Sequence, residues 1–311
     1  MPIRRKRRGI PLAGSADKAG GVSAVLRRAS RRANNKTSDK SVGIATIDNP
    51  GFMMDLLSGN HAINEFRNDG SLHVSDLLSK CMRMYALAHR FDIQLLGETL
   101  WDNVAVTFAI GRAIGDYMVQ KASRVAPAVM YGKWSCACST STITGTAEQA
   151  IEQGACSKCG THMRNYDEYQ FYHKDTDLIG SVDLTLLWDT YFYLTEVKSI
   201  KKEDWEELVR PLPQHILQVV FYWWLAVQAK EPVYDQVSIV YVTKGQPRGT
   251  PFKEFVLKPA DHLHRLDDYI EDAKALVAAK KGGPLPVRIC DSPEATMAKT
   301  CQTCNICFEV D

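Results

Sequence analysis

The spacing of apolar residues changes period several times along this chain, and each change marks an element. In SDLLSKCMRMYALAHR, Leu77, Leu78, Cys81, Met82, Tyr85 and Ala88 recur at helical spacing, which predicts an amphipathic helix starting near Ser75. NVAVTFAIGRAIGDYMVQKA predicts another. The stretch YDEYQFYHKDTDLIGSVDLTLL then supplies one or two strands, and YFYLTEVKSI a further one, with Trp-Asp-Thr between them as a hairpin turn. QHILQVVFYWWLAVQ is apolar nearly throughout and predicts a buried helix. VSIVYVTKG and FKEFVLKP read as strands. DHLHRLDDYIEDAKALVAAKKGG reads as a helix closed by basic residues and Gly-Gly, as dipole and C-cap logic expects. No internal repeat is visible.

Polar residues inside the apolar elements are the informative ones. Glu196 and Lys198 stand two apart on a strand, so they share a face. Asp183 sits on the preceding strand, and the hairpin brings the three together. Charges on a buried strand are expensive unless something uses them. Two carboxylates and a lysine suit metal-dependent phosphodiester hydrolysis. The carboxylates offer hard oxygen ligands to Mg2+ or Mn2+, and the lysine orients water or offsets phosphate charge. The bland alternative is an ordinary Glu–Lys pair on a solvent face. Gln214, Gln218 and Tyr222 follow at i, i+4 and i+8, on one face of the downstream helix. Trp223 and Trp224 read as core packing rather than base-stacking platforms, and His262 and His264 as solvated histidines.

Composition adds an asymmetry. Of the 38 Lys and Arg, twelve lie in residues 1–40 with only Asp17 and Asp39 for company, leaving 26 basic against 34 acidic residues elsewhere. RRKRR and RRASRR in a Ser-, Gly-, Ala- and Asn-rich setting predict a disordered arm. Such an arm makes sequence-independent phosphate contacts, or serves as a solubilising tail or localisation signal. No apolar run approaches the roughly 18 residues of a membrane span, and the N-terminus has no sustained apolar core of a secretory signal, so a cytoplasmic protein is expected.

Nine cysteines in such a chain argue for metal rather than disulfides. Cys136 and Cys138, then Cys156 and Cys159 followed by Gly160, form paired knuckles that deliver four thiolates to a structural Zn2+. The polar segment between them is too poor in apolar residues to hold its own core, so metal would organise it. His162 is an additional nitrogen nearby. The remaining five are Cys81, Cys290, Cys301, Cys304 and Cys307.

The order Asp183, Glu196-x-Lys198, Gln218-x-x-x-Tyr222 resembles the PD-(D/E)XK nucleases, specifically the RecB-like exonuclease branch. The resemblance spans roughly residues 72 to 307. It implies an α/β fold with a restriction-endonuclease-like core, a mixed sheet flanked by helices. It implies divalent-metal-dependent DNA hydrolysis, with Asp183 and Glu196 on Mg2+ or Mn2+, Lys198 catalytic, and Gln218 and Tyr222 positioning the strand. A thiolate ahead of the core and three after it is the arrangement of iron–sulfur members of that branch, similar to phage recombination and CRISPR adaptation exonucleases. These act with annealing, integrase or helicase partners. The implied [4Fe–4S] ligands are Cys81, Cys290, Cys301 and Cys307; the alternative set replaces Cys290 with Cys304, and a second zinc is the rival occupant. Where the branch carries a metal-binding histidine this chain has Gly115. The expected organisation is a basic arm (1–42), a mainly helical region (43–135), a zinc-ribbon-like insertion (136–165), a nuclease core (166–285) and a C-terminal iron–sulfur segment (286–311). Endonuclease activity, or DNA binding by a decayed site, are the alternatives, and oligomeric state stays open.

Overall fold

The structure, a computed structural model, describes residues 71–96, 102–247 and 249–310. The expected basic arm lies outside them. The fold is α/β, with two sheets and helices on their faces. The larger sheet has the order β10-β9-β8-β7-β2-β3, with β4 also paired to β2. Its strands are β2 (Met130–Ser135), β3 (Thr142–Thr146), β4 (Asn165–Asp167), β7 (Leu184–Trp188), β8 (Tyr191–Ile200), β9 (Val233–Thr243) and β10 (Phe252–Leu257). The smaller sheet, ordered β1-β6-β5, contains β1 (Leu72–His73), β5 (Tyr169–His173) and β6 (Leu178–Val182). β8–β9 and β1–β6 are parallel and the other pairings antiparallel, so both sheets are mixed.

The first predicted helix is broken in two. α1 (Val74–Ser79) ends where Lys80 turns extended, and α2 (Met82–Arg90) restarts with Cys81 at its N-cap. The periodicity continues across the break, which is why the pattern alone hides it. α3 (Asp102–Val125) follows. Residues 130–135, within the stretch expected to be mainly helical, instead form β2: Met130, Gly132 and Trp134 alternate with Tyr131, Lys133 and Ser135, a two-residue period. The β7–β8 hairpin closes over a two-residue turn in which Asp189 takes φ of 55°, a conformation aspartate tolerates better than most residues.

α6 (Pro213–Gln228) starts with Pro213 in its first turn, where a missing N–H is harmless. Its Val219, Val220, Phe221, Leu225 and Ala226 are buried against Phe192 and Leu194 of β8 and Val237 and Ile239 of β9. Gly180 makes this approach close. A Cβ there would lie 2.7 Å from both Leu225 and the Tyr222 ring. α5 (Lys202–Glu207) joins β8 to α6. On the far side of the chain order, the expected DHLHR helix is a 3-10 helix, Pro259–Arg265, and α7 (Asp267–Lys280) starts after it. Trp223 donates to Tyr234 O, while Trp224 stacks edge-on with Phe221 and His173, so both are packed against the core.

A second core lies over β2 and β7. It joins Met130, Trp134, Ala147, Ala150, Met163 and Leu184, with Met118, Val119 and Ala122 of α3 packed against them. The inter-knuckle segment therefore does hold apolar contacts of its own, contrary to expectation. α4 (Ala147–Glu152) carries a reciprocal capping box between Thr146 and Gln149, and its two alanines supply the buried face that a simple count of apolar residues understates. No helix among the described residues is long and apolar enough to cross a membrane.

Candidate active site

Besides the helical passage from β1 to β2, the two sheets are connected by single residues. β4 ends at Asp167 in the larger sheet and β5 begins at Tyr169 in the smaller one, so Glu168 is the whole crossing; β6 ends at Val182 and β7 begins at Leu184, so Asp183 is the crossing back. Tyr169 pairs with Val182, which makes Glu168 and Asp183 the next rung of that ladder. Leu184 pairs with Thr195, which makes Asp183 and Glu196 the next rung of the other. Three carboxylates thus stand in a row across neighbouring strands. Residues opposite one another have Cβ atoms about 5 Å apart, and like charges there repel.

The side chains bear out the proximity. Asp183 Oδ2 accepts from the Val197 N–H at 2.7 Å, and its carboxyl is within hydrogen-bonding reach of both Glu196 and Glu168. Burial raises the Asp183 carboxyl, against the lowering pull of Lys198. Glu196 is 2 % exposed. Burial and then the Asp183 charge push its carboxyl up to about 8, opposed by Lys198. Its Oε1 accepts from Lys198 Nζ at 2.6 Å, and its Oε2 is buried with no hydrogen-bond partner. Burial alone would lower the Lys198 ammonium, yet Glu196 and Asp183 beside it raise it.

α6 closes the site. Gln218 Nε2 donates to the Tyr222 hydroxyl at 2.6 Å. The Tyr222 phenol is raised well above its ordinary value, first by burial and then by Glu196 and Asp183, which puts it beside the carboxylates. Gln214 is exposed. His215, one residue on, bonds through Nδ1 to the Tyr241 hydroxyl at 2.7 Å; burial and then Lys198 hold its imidazole down to about 4, so it is neutral at physiological pH. The structure brings together Asp183, Glu196, Lys198, Gln218 and Tyr222, and adds Glu168 and His215, which sequence reasoning missed. Glu168 was visible in YDEYQ, but only the strand register reveals which residue it faces.

A Cβ on Gly115 of α3 would meet nothing within 4 Å. One turn before it, a Cβ on Gly111 would touch Ser199 Oγ at 3.0 Å. Ser199 alternates with Lys198, so α3 rests on the face of β8 opposite Glu196 and Lys198.

Two thiol groups complete the picture. The Sγ atoms of Cys136, Cys138, Cys156 and Cys159 all lie within 4.8 Å of one another, a spacing that fits one tetrahedral ion. The Thr161 hydroxyl and backbone hold the Cys159 thiol down to about 5, favouring the thiolate that metals bind. His162 is exposed and outside this group. Cys81, Cys290, Cys301, Cys304 and Cys307 line a single cavity of about 550 Å3. Burial raises the Cys81 and Cys304 thiols, and neighbouring sulfurs add to it. All five face the cavity, so the geometry does not single out a spare.

No family model and no curated protein matches the chain. Among solved structures it is similar to LHK-Exo, crystallised in complex with dAMP, at 12% identity over 68% of this chain and 89% of that one, with a TM-score of 0.38. It is also similar to SSO0001, at 12% identity over 71% and 87% of the two chains, with a TM-score of 0.34.

Proposed function

We propose that the chain is a divalent-metal-dependent deoxyribonuclease, acting as an exonuclease on single strands or duplex ends in DNA recombination, repair or phage DNA processing. The observation that carries this reading is the buried, unpartnered Oε2 of Glu196 in a row with Asp183. Two buried carboxyls, one of them pushed up to about 8 by burial for want of counter-charge beyond a single lysine, leave a place for a hard cation that would displace the proton. Asp183 and Glu196 would hold Mg2+ or Mn2+, which when bound supplies Lewis-acid polarisation of the scissile phosphate.

Around that ion the chain's own groups divide the remaining work. Lys198, fixed by Glu196, orients the attacking water and offsets charge developing on the phosphate. The Val197 N–H holds Asp183 in place. Gln218 and Tyr222, locked to each other, form a rigid polar face against which the strand is aligned. The four-cysteine group is a structural zinc site. Four of the five cavity-lining cysteines hold a [4Fe–4S] cluster that joins the C-terminal segment to α1 and α2, and the residue 1–42 arm tethers DNA. The protein acts in the cytoplasm, with an annealing, integrase or helicase partner.

The test is to incubate anaerobically purified protein with end-labelled linear and closed circular DNA, single- and double-stranded, in Mg2+ or Mn2+, beside Lys198→Ala. Degradation of linear DNA alone, lost in the variant, supports the reading. Cut circles would make it an endonuclease. DNA binding without cleavage by folded, metal-loaded protein would sink the enzymatic reading.

A further inference from the structure

We infer that the ion in the four-cysteine module sets the register of β4 on β2, and thereby presents Glu168 to Asp183 and Glu196 as a third carboxylate of the cation site. The inference rests on the nuclease reading and on the module binding an ion.

Chain path makes the connection. Cys136 directly follows Ser135, the last residue of β2, and the Cys156–Cys159 knuckle precedes β4 by a few residues. Where the knuckle hands over to β4, Arg164 N donates to Ser135 O at 3.1 Å and Asn165 Nδ2 to Cys136 O at 3.3 Å. An ion binding all four thiolates would therefore clamp the start of β4 to the end of β2. β4 then pairs Asn165 with Ser135, Tyr166 with Trp134 and Asp167 with Lys133, and the next residue is Glu168.

The clamp adds to two weaker constraints, the Tyr166 packing within β4 and the β5–β6 ladder that begins one residue after Glu168. β4 is three residues long, with only Tyr166 half-buried, and a strand this short holds no register by itself. The Tyr166 ring lies across Gly132, 2.2 Å from where a Cβ would be, and packs edge-on to Trp134. Register is decisive here, since a one-residue slip would turn Glu168 to the other face. Glu168 in place adds a solvent-accessible oxygen donor to the buried pair. Three carboxylates then face one lysine, with the orphaned Glu196 Oε2 among them.

The test measures Mn2+ affinity of the full chain, without DNA, by the loss of the free-ion EPR signal, with bound metal counted by elemental analysis. Glu168→Gln is expected to weaken Mn2+ binding by about tenfold, the usual size for a lost ligand or its support, while keeping the thiolate-bound ion and the melting temperature. Cys159→Ser is expected to lose that ion and weaken Mn2+ by a similar factor, and the double variant to be no worse than either single one. Gly132→Ala, which displaces Tyr166 without touching a ligand, should weaken Mn2+ with the thiolate ion retained, and carries the argument should Cys159→Ser fail to fold. Wild-type Mn2+ affinity in Glu168→Gln, or losses that add independently in the double variant, would overturn the inference alone. Wild type that binds no Mn2+, or Asp183→Asn that binds it unchanged, would overturn the nuclease reading with it. An ion-free module would overturn the structural-metal reading instead.

Discussion

Glu196 is where burial and charge conflict most sharply. Its carboxyl is pushed from 4.5 up to about 8, so the folded state takes up a proton more readily than the unfolded chain. Stability from this group is fully present below about pH 4.5 and is lost as pH rises through about 8. Glu196→Gln should therefore abolish cleavage and, without added divalent ion, raise stability at pH 8 by about 4 kcal/mol. The gain should shrink as pH falls toward 5, read as melting temperature against pH. His215 works in the opposite direction. Its imidazole is held down to about 4, so its contribution is present above about pH 6.5 and lost as pH falls through 4. His215→Asn should flatten the acid limb by ~1 kcal/mol, a figure discounted for the group's partial exposure.

Elements decide whether those residues meet. Gly180 sets the depth of α6, because any side chain there would strike Leu225 and Tyr222. Gly180→Val should cost about 2 kcal/mol through overpacking and reduce cleavage further than that loss explains, by tilting Tyr222 off the carboxylates; denaturant unfolding and turnover rates separate the two. This scale also sets how much could be read from sequence. The β7–β8 hairpin was legible because alternation and a two-residue turn fix its register, and α6 because sixteen largely apolar residues leave little choice. The β5–β6 hairpin was not: its turn spans Lys174 to Asp177, and nothing in the pattern says that Tyr169 meets Val182. Glu168 was lost with that register. The α1–α2 break escaped for the converse reason, since the apolar spacing runs on across the two-residue interruption at Lys80 and Cys81.

At the scale of the whole molecule the C-terminal segment is held to the helical region by side-chain hydrogen bonds. Arg83, 6 % exposed on α2, donates to Pro286 O and Val310 O. Arg288 Nη2 donates to Cys307 O, and Gln302 exchanges bonds with the Leu96 backbone. Arg83→Ala should cost about 3 kcal/mol, the scale of two charge-assisted bonds with their carbonyls left buried, and should speed proteolysis after residue 285. Cys81→Ala, by contrast, should bleach an iron–sulfur chromophore near ~400 nm while the arginine contacts keep the segment docked. Protease resistance with loss of colour is the expected pairing.

After β2 the chain passes between its two sheets through Glu168 and Asp183, one residue each way and side by side. A cation gripped by both would be a rivet through the seam rather than a passenger in a cleft. Its arrival would stiffen β5 and β6 as well as β7 and β8, so amide exchange in a sheet that contributes neither Glu196 nor Lys198 becomes a gauge of the site's occupancy.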